Sequence, residues 1–261
     1  MTNRAALFDA AFGERPQAWP LPAATDPEQR WWRAVAAGGQ GRYAVALGEL
    51  GTLHRTSAPA LRSLAMSTRA SFLRQLGGHR EAAGWDGRAL AAAGGDAEAV
   101  ADALIGLAAD ALGVGRFAAS ERLLDCAVGP VDDADDARLP IRLDWVGAEL
   151  AMMRGDGATA VVHAERAVAA AAAHPSTRHR LKSEVVLAAA LCSHGQLDRS
   201  RAIADAALDR SGDLGLVPLR WALASLLADI GSAAYTPGQV SDFRVASADT
   251  VRRRGGVWSD R

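Results

Sequence analysis

The chain has 261 residues, with 29 Lys and Arg against 30 Asp and Glu, so its net charge is −1 with His neutral. That balance leaves no electrostatic footprint for nucleic acid or an anionic membrane surface as partner. Hydrophobic residues make up 49%, dominated by alanine with only 5% aromatic, a composition for closely packed helices with small residues between them.

In chain order, residues 1–27 stand apart as an N-terminal arm, with Pro16, Pro20, Pro22 and Pro27 spaced around Trp19. Proline at that density breaks helices and favours an extended path, with a short helix over Ala5 to Phe12 before it. Asp26-Pro27 then predicts an N-cap followed by proline at the first helical position, opening a helix that carries Trp31 and Trp32. From there five similar segments align on Gly41, Gly78, Gly115, Gly155 and Gly195, separated by 37, 37, 40 and 40 residues. Self-similarity at such a period marks stacked copies of one supersecondary unit. Each glycine separates two alanine-rich helical patterns. After it come an apolar residue at +2, a small residue at +5, and apolar or small residues at +9 and +12, the last three tracing one helix face. Seven residues before it stands another small residue: Ala34, Ser71, Ala108, Ala148 and Ala188.

Connections are read from turn residues. Gly129-Pro130 and Leu139-Pro140 bracket an acidic stretch between units three and four, and His174-Pro175-Ser176-Thr177 separates units four and five. A last helix covers Trp221 to Ile230. Residues 232–261 form a C-terminal arm with a turn at Tyr235 to Gly238, a short helix over Ser241 to Thr250, and the Arg252, Arg253, Arg254 triplet as a solvated tail.

The pattern resembles the tetratricopeptide repeat: a small residue in the first helix, Gly-x-aromatic at the turn, and two small residues in the second helix. Arg80 and Gly157 depart from it where the turn aromatic is expected. The longer period is similar to that of the repeats in bacterial transcription-activator sensor domains. The resemblance covers residues 28–231. It implies an all-α, right-handed helical-repeat solenoid of about five tetratricopeptide-like helix pairs plus a C-terminal capping helix. It also implies that residues 13, 10, 6 and 3 before each glycine face a concave groove. The groove residues expected to hold a partner are Trp31, Arg69, Phe72, Ile105, Arg142, Trp145, Glu149, Met152 and Lys182, with an arginine-based anion clamp open through Arg69, Arg142 or Lys182. Aromatic and arginine side chains are the usual anchors of interfaces, and methionine adapts to irregular surfaces. Trp145 has a second reading, as filler of the core between units.

The functional expectation is a scaffold or adaptor that binds a peptide or helix of a partner protein. The alternative is a ligand- or peptide-sensing regulatory module without a DNA-binding domain. Exposed aromatic residues offer a homodimer surface, and one terminal arm, through Trp19 or Trp258, is placed to fold back into the groove. No catalytic site, cofactor or metal is expected. His163, His174, His179 and His194 lack metal-ligand spacing, and no nucleophile-elbow, phosphate-loop or dinucleotide motif occurs. Cys126 and Cys192, on different units, are expected as small buried hydrophobes rather than a disulfide. No apolar run spans a bilayer and Met1 to Arg15 lacks the apolar core of a signal peptide, so a cytoplasmic location is expected. Arginine and alanine excess, with Lys182 the only lysine, is what a GC-rich, actinobacterial-type genome encodes.

Overall fold

The computed structural model describes residues 2–53 and 58–259 and, over that range, contains thirteen helices and no strand. They are α1 (Asn3–Phe12), α2 (Pro27–Gly39), α3 (Tyr43–Leu53), α4 (Pro59–Gln75), α5 (His79–Ala92), α6 (Ala97–Gly113), α7 (Phe117–Asp133), α8 (Arg138–Met153), α9 (Gly157–Ala173), α10 (Thr177–Ser193), α11 (Leu197–Asp213), α12 (Val217–Ile230) and α13 (Pro237–Arg253). Local chemistry starts many of them. Asp26, Asp96, Asp156, Ser176 and Thr236 each accept a backbone N–H of the first turn that has no partner within the helix, worth about 1 kcal/mol apiece.

Turns inside the pairs share one geometry. Gly41, Gly77, Gly115, Gly155 and Gly195 have φ between +73° and +88°. The residue after each donates its N–H to the carbonyl five positions back: Arg42 to Ala37, Gly78 to Leu73, Arg116 to Ala111, Asp156 to Ala151 and Gln196 to Leu191. This is the Schellman closure, in which a left-handed residue lets the last turn satisfy its own carbonyls. The second glycine of the sequence pattern is therefore corrected from Gly78 to Gly77. Unit two shifts by one residue, so the small residue at −7 is Ala70 and the turn position is His79 rather than Arg80.

With that register the packing rule becomes uniform. Ala34, Ala70, Ala108, Ala148 and Ala188 on the first helices are fully buried, as are Ala46, Ala82, Ser120, Ala160 and Ser200 on the second. Absent bulk on both sides lets backbones approach: Ser200 Oγ donates to the Ala188 carbonyl at 2.7 Å. Each even-numbered helix from α2 to α12 packs on the next even-numbered one, while α3, α5, α7, α9 and α11 pack on the even helices that flank them. The even helices form an inner layer and the odd ones an outer layer. α12, expected as a lone cap, packs against α13.

Both terminal arms are built into this body. Leu7, Ala10, Ala11, Phe12 and Leu21 share a core cluster with α2, α3 and Val251 of α13. Ala44 N–H donates to the Arg254 carbonyl at 2.9 Å, the Arg254 guanidinium donates to the Gln40 carbonyl at 2.7 Å, and Ser259 N–H donates to the Leu76 carbonyl at 2.8 Å. On the other side Thr177 N–H donates to the Gly13 carbonyl at 3.1 Å. The chain thus closes on itself. Its accessible surface of 11462 Å² lies within about 5% of the ~10,900 Å² expected of a compact chain of this mass.

Two local expectations are corrected. Helix α7 runs through Gly129-Pro130, so the connection to α8 is only residues 134–137. Gly129 has no Cβ to meet the ring of Pro130, which removes part of the clash that keeps other residues before proline out of the helical region. Cys126 is exposed rather than buried, and both cysteines are free.

Gly155 and Gly87 separate backbone conformation from packing, because a Cβ at either meets nothing within 4 Å. Gly155 has φ +77°, whereas Gly87 lies inside α5. Gly155→Ala should destabilise by about 1–2 kcal/mol and Gly87→Ala should stabilise by about 0.5–1 kcal/mol. Equal effects of one sign in urea denaturation would refute the turn assignment.

Candidate functional site

Closure turns the concave side into a cavity of about 470 Å³, open to solvent over part of its surface. Its wall comes from all six inner helices, α2, α4, α6, α8, α10 and α12, joined by Phe12 of α1, Tyr43 of α3, His79 of α5, Asp136 before α8, Val251 of α13 and Trp258 of the tail. Seven of the nine residues expected to face a groove line it: Trp31, Phe72, Ile105, Arg142, Trp145, Glu149 and Lys182. Arg69 and Met152 do not. The Arg69 guanidinium lies over the Trp85 ring at 4.2 Å, and Met152 packs against the Ala148 and Leu187 cluster. Trp145 lines the cavity and ties units together, its Nε1 donating to Ser183 Oγ at 2.9 Å. Of the two arm tryptophans, Trp258 lines the cavity, 4.5 Å from Trp221 between ring centroids. Trp19 sits instead beneath the Arg42 guanidinium, 3.9 Å away.

Charge is concentrated on α4, α6, α8 and α10. Arg74 donates to Asp86 at 2.9 Å, to Asp110 at 2.5 Å and to the Gly106 carbonyl at 3.0 Å. Gly106 is required there, since a Cβ on it would stand 2.3 Å from Asp86 Oδ2. Arg138 donates to Asp136 at 2.6 Å and Glu98 at 2.8 Å, and its guanidinium lies 3.8 Å from the centre of the Phe12 ring. Arg142 pairs with Asp102, and Lys182 with Glu149 at 3.3 Å. Arg178 differs. Among the described residues no carboxylate pairs with it, its Nε is buried without an acceptor, and one 3.5 Å hydrogen bond runs from its Nη2 to the Ala11 carbonyl. Burial, then the neighbouring Arg138 and Arg142, pushes the Arg178 guanidinium down to about 10. Burial, then Arg74, does the same to Arg142. His179, buried and stacked on Trp145 at 5.4 Å, is held well below its ordinary range by burial and then by Arg178. It is a neutral wall element, with Nδ1 2.8 Å from Ser176 Oγ.

Among the wall residues that the sequence pattern did not place in the groove are Arg74, Arg138, Arg178, His179 and Trp221. Arg74 stands three residues before Gly77, so the one-residue slip in unit two hid it. Arg138 and Arg178 both stand 17 residues before their turn glycines, and Glu98 holds the same place in unit three. That place is one helical turn upstream of the stripe the family pattern defines. The longer period was the available signal: an extra turn on the first helix carries the same face farther.

Among the described residues no group of three or more His, Cys, Asp or Glu is placed to hold a metal ion. No helix among them is long and apolar enough to cross a membrane.

Two carboxylates around one arginine make stability pH-dependent. Burial, against the pull of Arg74 and with Asp86 nearby, pushes Asp110 up to about 7 from 3.8. The folded chain therefore binds an extra proton between those values, so the stability Asp110 contributes is full below the unfolded value and is lost as pH rises through the folded one. Asp86 and Glu98, also raised, act with the same sign, while His174 and His179, lowered, act with the opposite one. A difference measurement isolates Asp110. The Tm of Asp110→Asn minus that of the wild type should rise from about pH 5 to about pH 8. A flat difference would show that Asp110 does not titrate in that window.

No family model matches the chain and no curated protein matches it in sequence, so the functional reading rests on the geometry of the cavity.

Proposed function

We propose that the chain is a ligand-sensing module of the tetratricopeptide-like class, a right-handed stack of helix pairs whose inner layer holds a small molecule. The observation that carries this reading is the size and closure of the concave side. A cavity of about 470 Å³ lies within the range of small-molecule sites, roughly 300–1,000 Å³. A three-turn partner helix about 10 Å across occupies on the order of 1,200 Å³, so an adaptor that takes a helix requires the closure to open. The lining supports the same choice, with seven aromatic rings on the wall (Phe12, Trp31, Tyr43, Phe72, Trp145, Trp221 and Trp258) and a few fixed charges.

A sensor of this kind works by population shift: a ligand that fits only the closed chain stabilises the contacts of Gln40, Ala44 and Leu76 with the C-terminal tail. Its readout is the surface those contacts shape, offered to a regulatory partner. No catalytic step is assigned to it.

The test is native mass spectrometry of the protein equilibrated with the small-molecule fraction of a cell extract, for the wild type and for Ala109→Trp, which places a large ring into the cavity from α6. A bound mass on the wild type that raises its Tm, absent from a folded Ala109→Trp, is the expected result. A bound mass of equal occupancy on both would place the ligand elsewhere, and no bound mass with an unchanged Tm would defeat the reading.

A further inference from the structure

Around the cavity each cation but one has a carboxylate partner: Arg74 has Asp86 and Asp110, Arg138 has Asp136 and Glu98, Arg142 has Asp102, and Lys182 has Glu149. With Arg178 counted, the carboxylates named outnumber the cations by one, so the wall as a whole has no surplus of positive charge. The imbalance is local, at the first turn of α10, where Arg178 stands beside Arg138 and Arg142, close enough that both disfavour its charge. A charge drawn partly out of water without a carboxylate partner is costly, and proteins keep one where something else pairs with it. No side chain among the described residues supplies that partner, and the guanidinium lines the cavity. Elsewhere the lining changes character. Val35, Tyr43, Trp221, Val251 and Trp258 line it from α2, α3, α12, α13 and the tail, and Trp258 Nε1 is buried there without an acceptor.

We infer that the cavity takes a small organic monocarboxylate, its carboxylate received by Arg178 and its apolar or aromatic body lying toward Trp221 and Trp258. This rests on the ligand-sensing reading above and adds the chemical class of the ligand. The single charge follows from the ledger, since one guanidinium lacks a counter-ion. Arginine suits the task because its planar fork receives both oxygens of a carboxylate. The apolar body follows from the aromatic arc, and an acceptor on that body would satisfy Trp258 Nε1. Arg138 is already held by Asp136, Glu98 and the Phe12 ring, so it serves as a fixed neighbour rather than as the receiving group.

The experiment is isothermal titration with matched pairs, 4-phenylbutyrate against 4-phenylbutanamide and dodecanoate against dodecanamide, with hexyl phosphate beside hexanoate as the dianion arm. The proteins are the wild type, Arg178→Gln and Arg178→Lys. In the wild type each acid should bind at least about tenfold more tightly than its amide, the worth of one hydrogen-bonded charge. Arg178→Gln should abolish that preference while leaving amide affinity within about threefold, and Arg178→Lys should restore part of it. Ligand-free Arg178→Gln should melt no lower than the wild type, since it removes an unpaired charge, and this checks that the variant is folded. Acid and amide binding equally, or the acid preference surviving in Arg178→Gln, would overturn the carboxylate assignment and leave the cavity reading standing. Hexyl phosphate binding more tightly than hexanoate would overturn the single-charge assignment. If neither acids nor amides bind the wild type, the inference and the cavity reading fall together.

Discussion

The structure depends on a contact between the two ends of the chain. Ala44 N–H meets the Arg254 carbonyl, the Arg254 side chain reaches the Gln40 carbonyl, and Ser259 N–H meets the Leu76 carbonyl. Val251 completes the same apolar cluster that holds Tyr43 and Trp31. Each bond contributes only about 1 kcal/mol net, yet together they decide whether the inner layer faces solvent as a groove or encloses a cavity. Everything said of Arg178, Trp145 and Trp258 follows from that choice. Closure excludes water from part of the wall, raises the cost of an unpaired charge, and sets an upper limit on the size of an occupant.

Closure is available because curvature is built from small residues. Where both helices of a pair carry alanine or serine at the crossing, their axes approach and the outer helices nestle between inner ones. A chain with leucine at those places would still pair its helices, but at wider spacing and with a different bend per unit. Against this small-residue framework the charged wall of the cavity is an exception. Buried arginines held by two acids each, as Arg74 and Arg138 are, add little net stability compared with an apolar replacement, because desolvation offsets attraction. Their value lies in fixing positions inside a cavity.

Much of the helix pattern could be read from residue spacing. Asp26-Pro27, the alanines seven residues before four of the glycines, the small residues at +5 and the apolar or small ones at +12 each have a direct physical meaning that survives without coordinates. The slip in unit two arose because Gly77 and Gly78 are adjacent and only backbone geometry says which one carries the positive φ. Pro130 was read as a break because a proline's effect depends on its distance from the helix end and on the glycine before it, which composition alone does not weigh. Arg138 and Arg178 were missed because the pattern was taken from shorter repeats. The meeting of the C-terminal arm with the first unit was legible only as an arm folding back through its tryptophan: the contact pairs residues about 210 positions apart, largely through backbone groups, which carry no sequence signature.

The most direct test of closure is small-angle X-ray scattering from the wild-type monomer in dilute solution. A chain whose last pair docks on its first should have a radius of gyration of about 18 Å, the value for a compact domain of this length. A radius well above ~22 Å with an elongated distance distribution would contradict closure, and with it the cavity on which the functional account stands.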